Sequence, residues 1–198
     1  VFERHRSLID REVSVALRLF VAYTVNTGLV LVLVNVKVEG TAPDSLFGNG
    51  AYTDFTADWY ANVGIQLVIV CLINAFAFHL PALWDASARA FSRRFGDKPL
   101  LQREMNEQYL GPEFPFALRT AQILVQAFVT LMFGSGLPIL YPIAAGSFLL
   151  FFVVDKVMVL RFYRAPPEFD ASMSRWFVFV LYVAVAVHLA VAMWVYSL

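Results

Sequence analysis

Polar side chains recur along one apolar stretch of the sequence at the spacing of a single helical face. Arg119, Gln122, Gln126 and Thr130 follow one another at intervals of 3, 4 and 4 residues, which places them on one stripe of an α-helix. Glutamines facing hydrocarbon would be costly, so we expect this stripe to face protein or water. The pattern fits two kinds of chemistry: hydrogen bonding between membrane helices, or a hydrated path for cations.

Amides also occur in two other apolar stretches. Asn62, Gln66 and Asn74 fall within about a third of the circumference of one predicted helix, and Asn26 lies near the middle of another. Hydrogen bonds between helices contribute about 1 kcal/mol each, whereas amides lining a path would coordinate cations weakly and with little selectivity. The sequence leaves both interpretations open, and the pore-lining candidates are Asn26, Gln66, Asn74, Gln122, Gln126 and Thr130.

Two charges, Asp155 and Lys156, interrupt the apolar run "FFVVDKVMVLRFYR". Asp155 lies 18 residues after Leu137, or about 27 Å along a helix, which places it at the headgroup region rather than the bilayer centre. There Lys156 can extend into the interface, and Asp155 can pair with Arg161 or with water. The alternative is a charge pair that lines an inner vestibule. We group Asp155, Lys156 and Arg119 as inner-interface charges.

The residue pattern contains no catalytic constellation. His5, His79 and His188 fall in three different regions, and none has a carboxylate or cysteine at metal-ligand spacing. Cys71 is the single cysteine, and neither a Gly-rich phosphate loop nor a serine elbow is present in the sequence. We therefore expect no enzymatic activity, no metal and no cofactor. The formal net charge of zero gives no reason to expect nucleic acid as a partner.

The composition indicates that membrane lipid surrounds the chain. Hydrophobic residues make up 60% of the sequence and charged residues 15%, whereas a typical soluble domain is about half apolar and a quarter charged. Crossing the hydrocarbon takes about 20 helical residues. The sequence predicts an all-α integral membrane protein, a single transmembrane domain over residues 1–198, with five spans, A to E, at about 17–36, 60–83, 116–133, 137–160 and 176–196.

Basic residues predict the orientation of these spans. Counted with the adjoining ends of the spans, where Arg18, Arg119 and Lys156 lie, the segments before A, between B and C, and between D and E hold 4, 6 and 4 lysines and arginines. Only Lys37 of the 15 lies on the other side. The positive-inside bias predicts a cytoplasmic N-terminus and a C-terminus on the opposite side. Trp59 and Trp84 bracket B, and Trp176 and Trp194 bracket E, as expected of aromatic belts. Which membrane holds the protein is left open.

The B–C loop is expected to carry amphipathic helices that lie in the headgroup plane. Phe91 and Phe95 lie four residues apart among arginines, and Gly96 separates this piece from a second one. Asp97 and Pro99 are suited to open that second helix, in which Leu101, Met105 and Tyr109 share a face. Because the sequence begins at Val1 rather than Met, we expect it to be part of a longer polypeptide.

Several short motifs follow one another along the sequence. They are "VNTG" at Val25–Gly28, "DWYANVG" at Asp58–Gly64, "MNEQYLGPEF" at Met105–Phe114, "GSGLPILYPI" at Gly134–Ile143, "DK" at Asp155–Lys156 and "RAPPEF" at Arg164–Phe169. In this order they resemble the C-terminal membrane half of protist relatives of the OSCA-type stress-gated channels, which group with the TMC and anoctamin proteins.

The resemblance implies a larger, usually dimeric membrane fold of which spans A to E form the later part. Members of that superfamily conduct cations under membrane tension or scramble lipids, and the resemblance places spans A, B and C near the path. The acidic calcium ligands of anoctamins have no counterpart in spans A to E, so calcium gating is not implied.

The expected function is therefore that of the membrane-embedded portion of a mechanosensitive cation channel or of a scramblase-like protein. The alternative is a non-catalytic structural or accessory subunit of a larger membrane complex. The expected partners are membrane lipids, the remainder of the polypeptide or other membrane subunits, and a second copy of the chain.

Overall fold

A computed structural model of the chain describes residues 8–38, 48–96, 101–164 and 172–197. This part of the chain is all-α and has isolated bridges but no strands. Five of its helices are long and apolar enough to cross a membrane, which confirms the predicted fold class. They are Ile9–Asn35, Ala57–Phe95, Phe116–Gly134, Leu140–Arg161 and Ser174–Tyr196.

The first two spanning helices are not uniform α-helices. The first consists of α1 (Leu8–Thr24), π1 (Val25–Leu29) and α2 (Val30–Asn35). The second consists of α3 (Ala57–Trp59), π2 (Tyr60–Gly64), α4 (Ile65–Ala77) and α5 (Leu80–Phe95). Both spans are longer than the sequence predicted, since span A begins nine residues earlier and span B continues to Phe95.

The remaining helices are uninterrupted. They are α6 (Gln102–Tyr109), α7 (Phe116–Gly134), α8 (Leu140–Arg161) and α9 (Ser172–Tyr196). A turn over residues 135–139 joins α7 to α8, so these two helices form an antiparallel hairpin. We call the end of the bundle at this turn the far end, and the opposite end, where α7 begins, the near end.

Contacts between the helices show that their directions alternate along the chain. Glu12 near the start of α1 accepts a hydrogen bond from the amide nitrogen of Ala117 near the start of α7, at 3.3 Å. His188 Nδ1 in α9 lies 2.7 Å from the carbonyl oxygen of Leu131 in α7. Helices α1, α7 and α9 therefore run in parallel, as expected for a chain that crosses the membrane five times.

Helix α7 lies at the centre of the bundle. In its most apolar window 61% of residues are buried, against no more than 33% in any other span. Its side chains form the core together with residues of the other spans, among them Phe20, Leu67, Cys71, Leu140 and Val180. Because the other spans present large apolar side chains outward, the bundle has the surface expected of a protein in lipid.

Tryptophans and other aromatic residues mark both ends of the bundle. At the far end the ring of Phe55 lies 4.7 Å from Trp59 and 5.2 Å from Trp194. At the near end Trp176 lies 6.3 Å from Phe20, while Trp84 is exposed on α5. The four tryptophans thus divide between the two ends as an aromatic belt requires, although Trp59 is buried in protein rather than exposed.

Helices α5 and α6 carry the predicted amphipathic pieces. Phe91 and Phe95 are exposed on α5 with their rings 4.9 Å apart, and Gly96 ends that helix. Leu101 and Tyr109 are likewise exposed. Placement of these helices in the headgroup plane stays a prediction. The expected turn and cap residues at Asp97 and Pro99 lie outside the described residues.

One glycine at the near end allows a close backbone contact. A Cβ atom added to Gly111 would lie 1.8 Å from the carbonyl oxygen of Phe162, next to the 3.1 Å hydrogen bond from the Arg164 amide to the Pro112 carbonyl. We expect Gly111→Ala to separate these segments and to lower the free energy of unfolding by about 1–3 kcal/mol, the usual cost of overpacking.

Gly146 in α8 is the matched control for this prediction. An added Cβ atom there would meet nothing within 4 Å, so Gly146→Ala should stabilise the helix by about 0.5–1 kcal/mol. Thermal unfolding of the two variants in the same detergent measures both effects. An equal change in melting temperature for the two variants would contradict the close contact at Gly111.

Candidate functional site: a buried ionic cluster on the central helix

Arg119 lies at the first turn of α7 with only 4% of its surface exposed. Its Nη1 donates hydrogen bonds to the carbonyl oxygen of Phe78, at 2.8 Å, and to Oε1 of Gln122, at 3.1 Å. Its Nε donates to Oδ1 of Asp155 at 2.9 Å, and its Nη2 contacts the same carboxylate. Nη2 also lies 2.9 Å from Nδ1 of His79. These residues form what we call the Arg119 cluster.

The cluster forms where the second span breaks. Helix α4 ends at Ala77, and α5 begins at Leu80 with Pro81 in its first turn, a position that suits proline. The end of a helix leaves carbonyl groups without partners and carries partial negative charge. The guanidinium of Arg119 supplies both a hydrogen-bond donor and a positive charge at the carbonyl group of Phe78. Since a guanidinium only donates, His79 Nδ1 must accept its hydrogen bond, which places the ring proton on Nε2.

An aromatic ring closes one side of the cluster. The guanidinium carbon of Arg119 lies 4.9 Å from the ring centroid of Phe151, within the range of a cation–π contact. The ring of His79 lies 4.6 Å from the same ring. Nε2 of His79 is buried and has no hydrogen-bond partner among the described residues. The cluster therefore holds its charges in a largely apolar surrounding.

The sequence predicted Arg161 or water as the partner of Asp155, whereas in the structure the carboxylate pairs with Arg119. The antiparallel α7–α8 hairpin explains this pairing. Arg119 lies 18 residues before Leu137 and Asp155 lies 18 residues after it, so the two side chains reach the same height in the hairpin. This equal spacing was the signal in the sequence. Lys156, the third predicted charge, is exposed and stands 5.5 Å from the Phe152 ring instead.

The polar stripe of α7 is buried along its whole length. Gln122, Gln126 and Thr130 are 5%, 2% and 4% exposed. Gln122 accepts a hydrogen bond from Arg119. Nε2 of Gln126 and Oγ1 of Thr130, in contrast, have no partner among the described residues. The stripe thus has a hydrogen-bonded part at the near end and an unpaired part beyond it.

The other pore-lining candidates lie in different surroundings. Asn26 and Gln66 are exposed on the surface of the bundle, and Asn74 is partly buried. The structure therefore brings together Arg119, Gln122 and Asp155, but it leaves Asn26 and Gln66 away from the buried stripe of α7.

The two π-helical segments were not predicted from the sequence. π-Helical turns are rare and often occur at functional sites. Each segment contains an Asn-x-Gly sequence, Asn26-Thr27-Gly28 in π1 and Asn62-Val63-Gly64 in π2. In both cases the glycine is buried. The shared Asn-x-Gly sequence is the signal that could have indicated them.

Both π segments lie toward the far end of the bundle. A Cβ atom on Gly28 would lie 3.4 Å from Phe133 in α7, and one on Gly64 would lie 3.4 Å from Leu137 in the α7–α8 turn. The irregular segments of the first two spans therefore pack against the end of α7 that is opposite the Arg119 cluster.

Tyr163 lies beside the cluster, just beyond the end of α8. Burial raises the pKa of its hydroxyl above the usual value, Arg119 lowers it, and Asp155 and Asp85 raise it. The net shift is upward, so the hydroxyl is protonated at neutral pH. Its ring lies 5.3 Å from Phe114. An uncharged aromatic side chain therefore borders the cluster on the side of the near-end loops.

Among the described residues, no group of three or more histidines, cysteines and carboxylates could hold a metal ion. Comparison with protein-family models, with curated proteins and with solved structures finds no match to this chain.

Proposed function

We propose that the chain is the membrane-embedded portion of a stress-gated cation channel or of a scramblase-like protein, and that the path opens along α7. The observation that carries the proposal is the unpaired part of the buried stripe, Gln126 Nε2 and Thr130 Oγ1. A buried polar group without a partner costs about 1–3 kcal/mol. Water or a cation reaching the stripe in an open state would offset that cost, so we assign the described conformation to the closed state.

The π segments support the same proposal. A π turn holds one residue more than an α turn, so its conversion to α-helix would rotate one part of the span against the other by about 100°. Both segments pack at the far end of α7, through Gly28 and Gly64. Conversion of these segments to α-helix would change which side chains of the first two spans cover the buried stripe of α7. They also coincide with two of the motifs that resemble stress-gated channels, at Val25–Gly28 and Asp58–Gly64.

The test is reconstitution of the full-length protein in liposomes. Suction applied to excised patches should evoke a cation current, or fluorescent lipid should become accessible to a quencher from the outer side. Protein-free liposomes made from the same lipid are the control. The proposal would be contradicted if correctly folded and inserted protein gave no stretch-evoked current and no lipid transfer.

A second candidate function is that of a non-catalytic structural or accessory subunit. The observation that favours it is the Arg119 cluster, in which Arg119 and Gln122 bond within the chain as packing interactions do. In that case the native complex would contain unrelated membrane subunits, and the isolated protein would neither conduct nor transfer lipid. Neither candidate gives the chain an enzymatic role. Both retain lipids, other membrane subunits and a second copy of the chain as proposed partners.

A further inference from the structure

An open groove of about 680 Å³ lies along α8 where it meets α7. Its apolar walls include Ile123 of α7 and Phe148, Phe152, Val159 and Leu160 of α8. This volume is within the range of small-molecule sites, about 300–1,000 Å³. The groove faces away from the core of the bundle, because Phe148, Phe152 and Leu160 are all exposed.

Two charged residues, Asp155 and Lys156, also line the groove. The carboxylate of Asp155 is already neutralised by Arg119. Lys156 is exposed, and its Nζ lies 5.5 Å from the centroid of the Phe152 ring. The groove therefore carries one net positive charge, which complements an anionic group.

The position of Lys156 also fits a ligand that lies partly in the membrane. It is five residues before the end of α8, or about 8 Å along the helix axis, and a lysine at that depth can extend its ammonium to the headgroup level. From Lys156 to Phe148 the groove runs back along about 12 Å of helix, toward the hydrocarbon.

We propose that this groove binds one phospholipid, with its phosphate at Lys156 Nζ and an acyl chain along Ile123, Phe148 and Phe152. The proposal concerns binding alone and holds whether or not the protein conducts ions. Lipid tails in the bilayer are as apolar as the groove, so apolar contact by itself selects no lipid. Selection must come from the charge-assisted hydrogen bond of Lys156 to phosphate and from the shape of the groove.

The experiment uses the full-length protein in phosphatidylcholine nanodiscs that contain a trace of phosphatidylglycerol with a photoreactive group in its acyl chain. After illumination, labelled positions are mapped by peptide mass spectrometry. We expect labels concentrated on Ile123, Phe148 and Phe152. Lys156→Gln should lower this labelling about tenfold, the effect of losing one charge-assisted bond to phosphate.

Two matched pairs of variants separate the site from the lipid that surrounds any membrane protein. Arg161→Gln removes an exposed charge of the same helix that does not line the groove, and it should leave the labelling unchanged. Val159→Trp should fill the groove and abolish labelling at Phe148. Val153→Trp, at an exposed position of α8 outside the lining, should not. Melting temperatures of all four variants establish that they fold.

Three outcomes would overturn the proposal. Labels spread evenly over the exposed face of α8, with no response to Lys156→Gln, would mean surrounding lipid only. Equal labelling by a photoreactive diacylglycerol, which lacks the phosphate, would remove the role of the headgroup. Loss of labelling on addition of inorganic phosphate at millimolar concentration would identify the site as an anion site without an acyl-chain contribution.

Discussion

Arg119→Ala is expected to lower the free energy of unfolding by about 3–5 kcal/mol, the usual cost of removing one partner of a buried ion pair. The reason is that the carboxylate of Asp155, which is largely buried, would lose the guanidinium that bonds to it. The carbonyl group of Phe78 at the end of α4 would also lose its donor. Equilibrium unfolding in mixed micelles measures the change.

A double variant tests whether the cost comes from an unpaired charge. Arg119→Met combined with Asp155→Leu replaces the pair with apolar side chains, and we expect it to recover most of the loss caused by Arg119→Ala. Arg161→Gln is the control, with an expected change within about 0.5 kcal/mol, because Arg161 is exposed. A large decrease in the free energy of unfolding for Arg161→Gln would show instead that Asp155 pairs with Arg161.

Gln126→Leu should raise the free energy of unfolding by about 1–3 kcal/mol, since it removes a buried polar group that has no partner. Under the proposed function the same variant should lose its stretch-evoked current or lipid transfer, because the open path would be lined by leucine at that height. Unfolding in micelles and patch recordings from liposomes measure the two effects separately.

Gln122→Leu is the matched control, because it makes the same substitution one turn away on the same stripe. Here Oε1 accepts a hydrogen bond from Arg119, so the substitution should lower the free energy of unfolding by about 1.5–3 kcal/mol, the range for hydrogen bonds to charged groups. If both variants lowered the free energy of unfolding, Gln126 would have to have a partner in the folded protein. The stripe would then act only to hold the helices together.

The helix count could be predicted from the sequence, because the hydropathy of about 20 consecutive residues decides whether a span can cross the bilayer. The cost of polar side chains in hydrocarbon predicted that Gln122, Gln126 and Thr130 face protein or water, and the structure buries them in protein. The pairing of Arg119 with Asp155 depends on the register of the α7–α8 hairpin, which local pattern does not reveal. Only the equal distance of the two residues from Leu137 indicates it.

The irregular parts of the first two spans could not be predicted for a similar reason. An extra residue in a helical turn is favourable only if the surrounding helices accommodate it. Here the space beside Gly28 and Gly64 is limited by Phe133 and Leu137, at the far end of α7 and in the turn after it. The break between α4 and α5 did have a local signal. Pro81 suits the first turn of a new helix, although the apolar run continues past it.

The central position of α7 bears on how the protein enters the membrane during synthesis. Of the five spans α7 has the lowest mean hydropathy, and it carries Gln122 and Gln126 near its middle, where lipid disfavours polar side chains on a lone helix. Asp155, which neutralises Arg119 in the folded bundle, leaves the ribosome only after α7 is complete. Helices α7 and α8 therefore enter the bilayer most readily as a hairpin, and truncation before Asp155 should leave α7 inefficiently integrated.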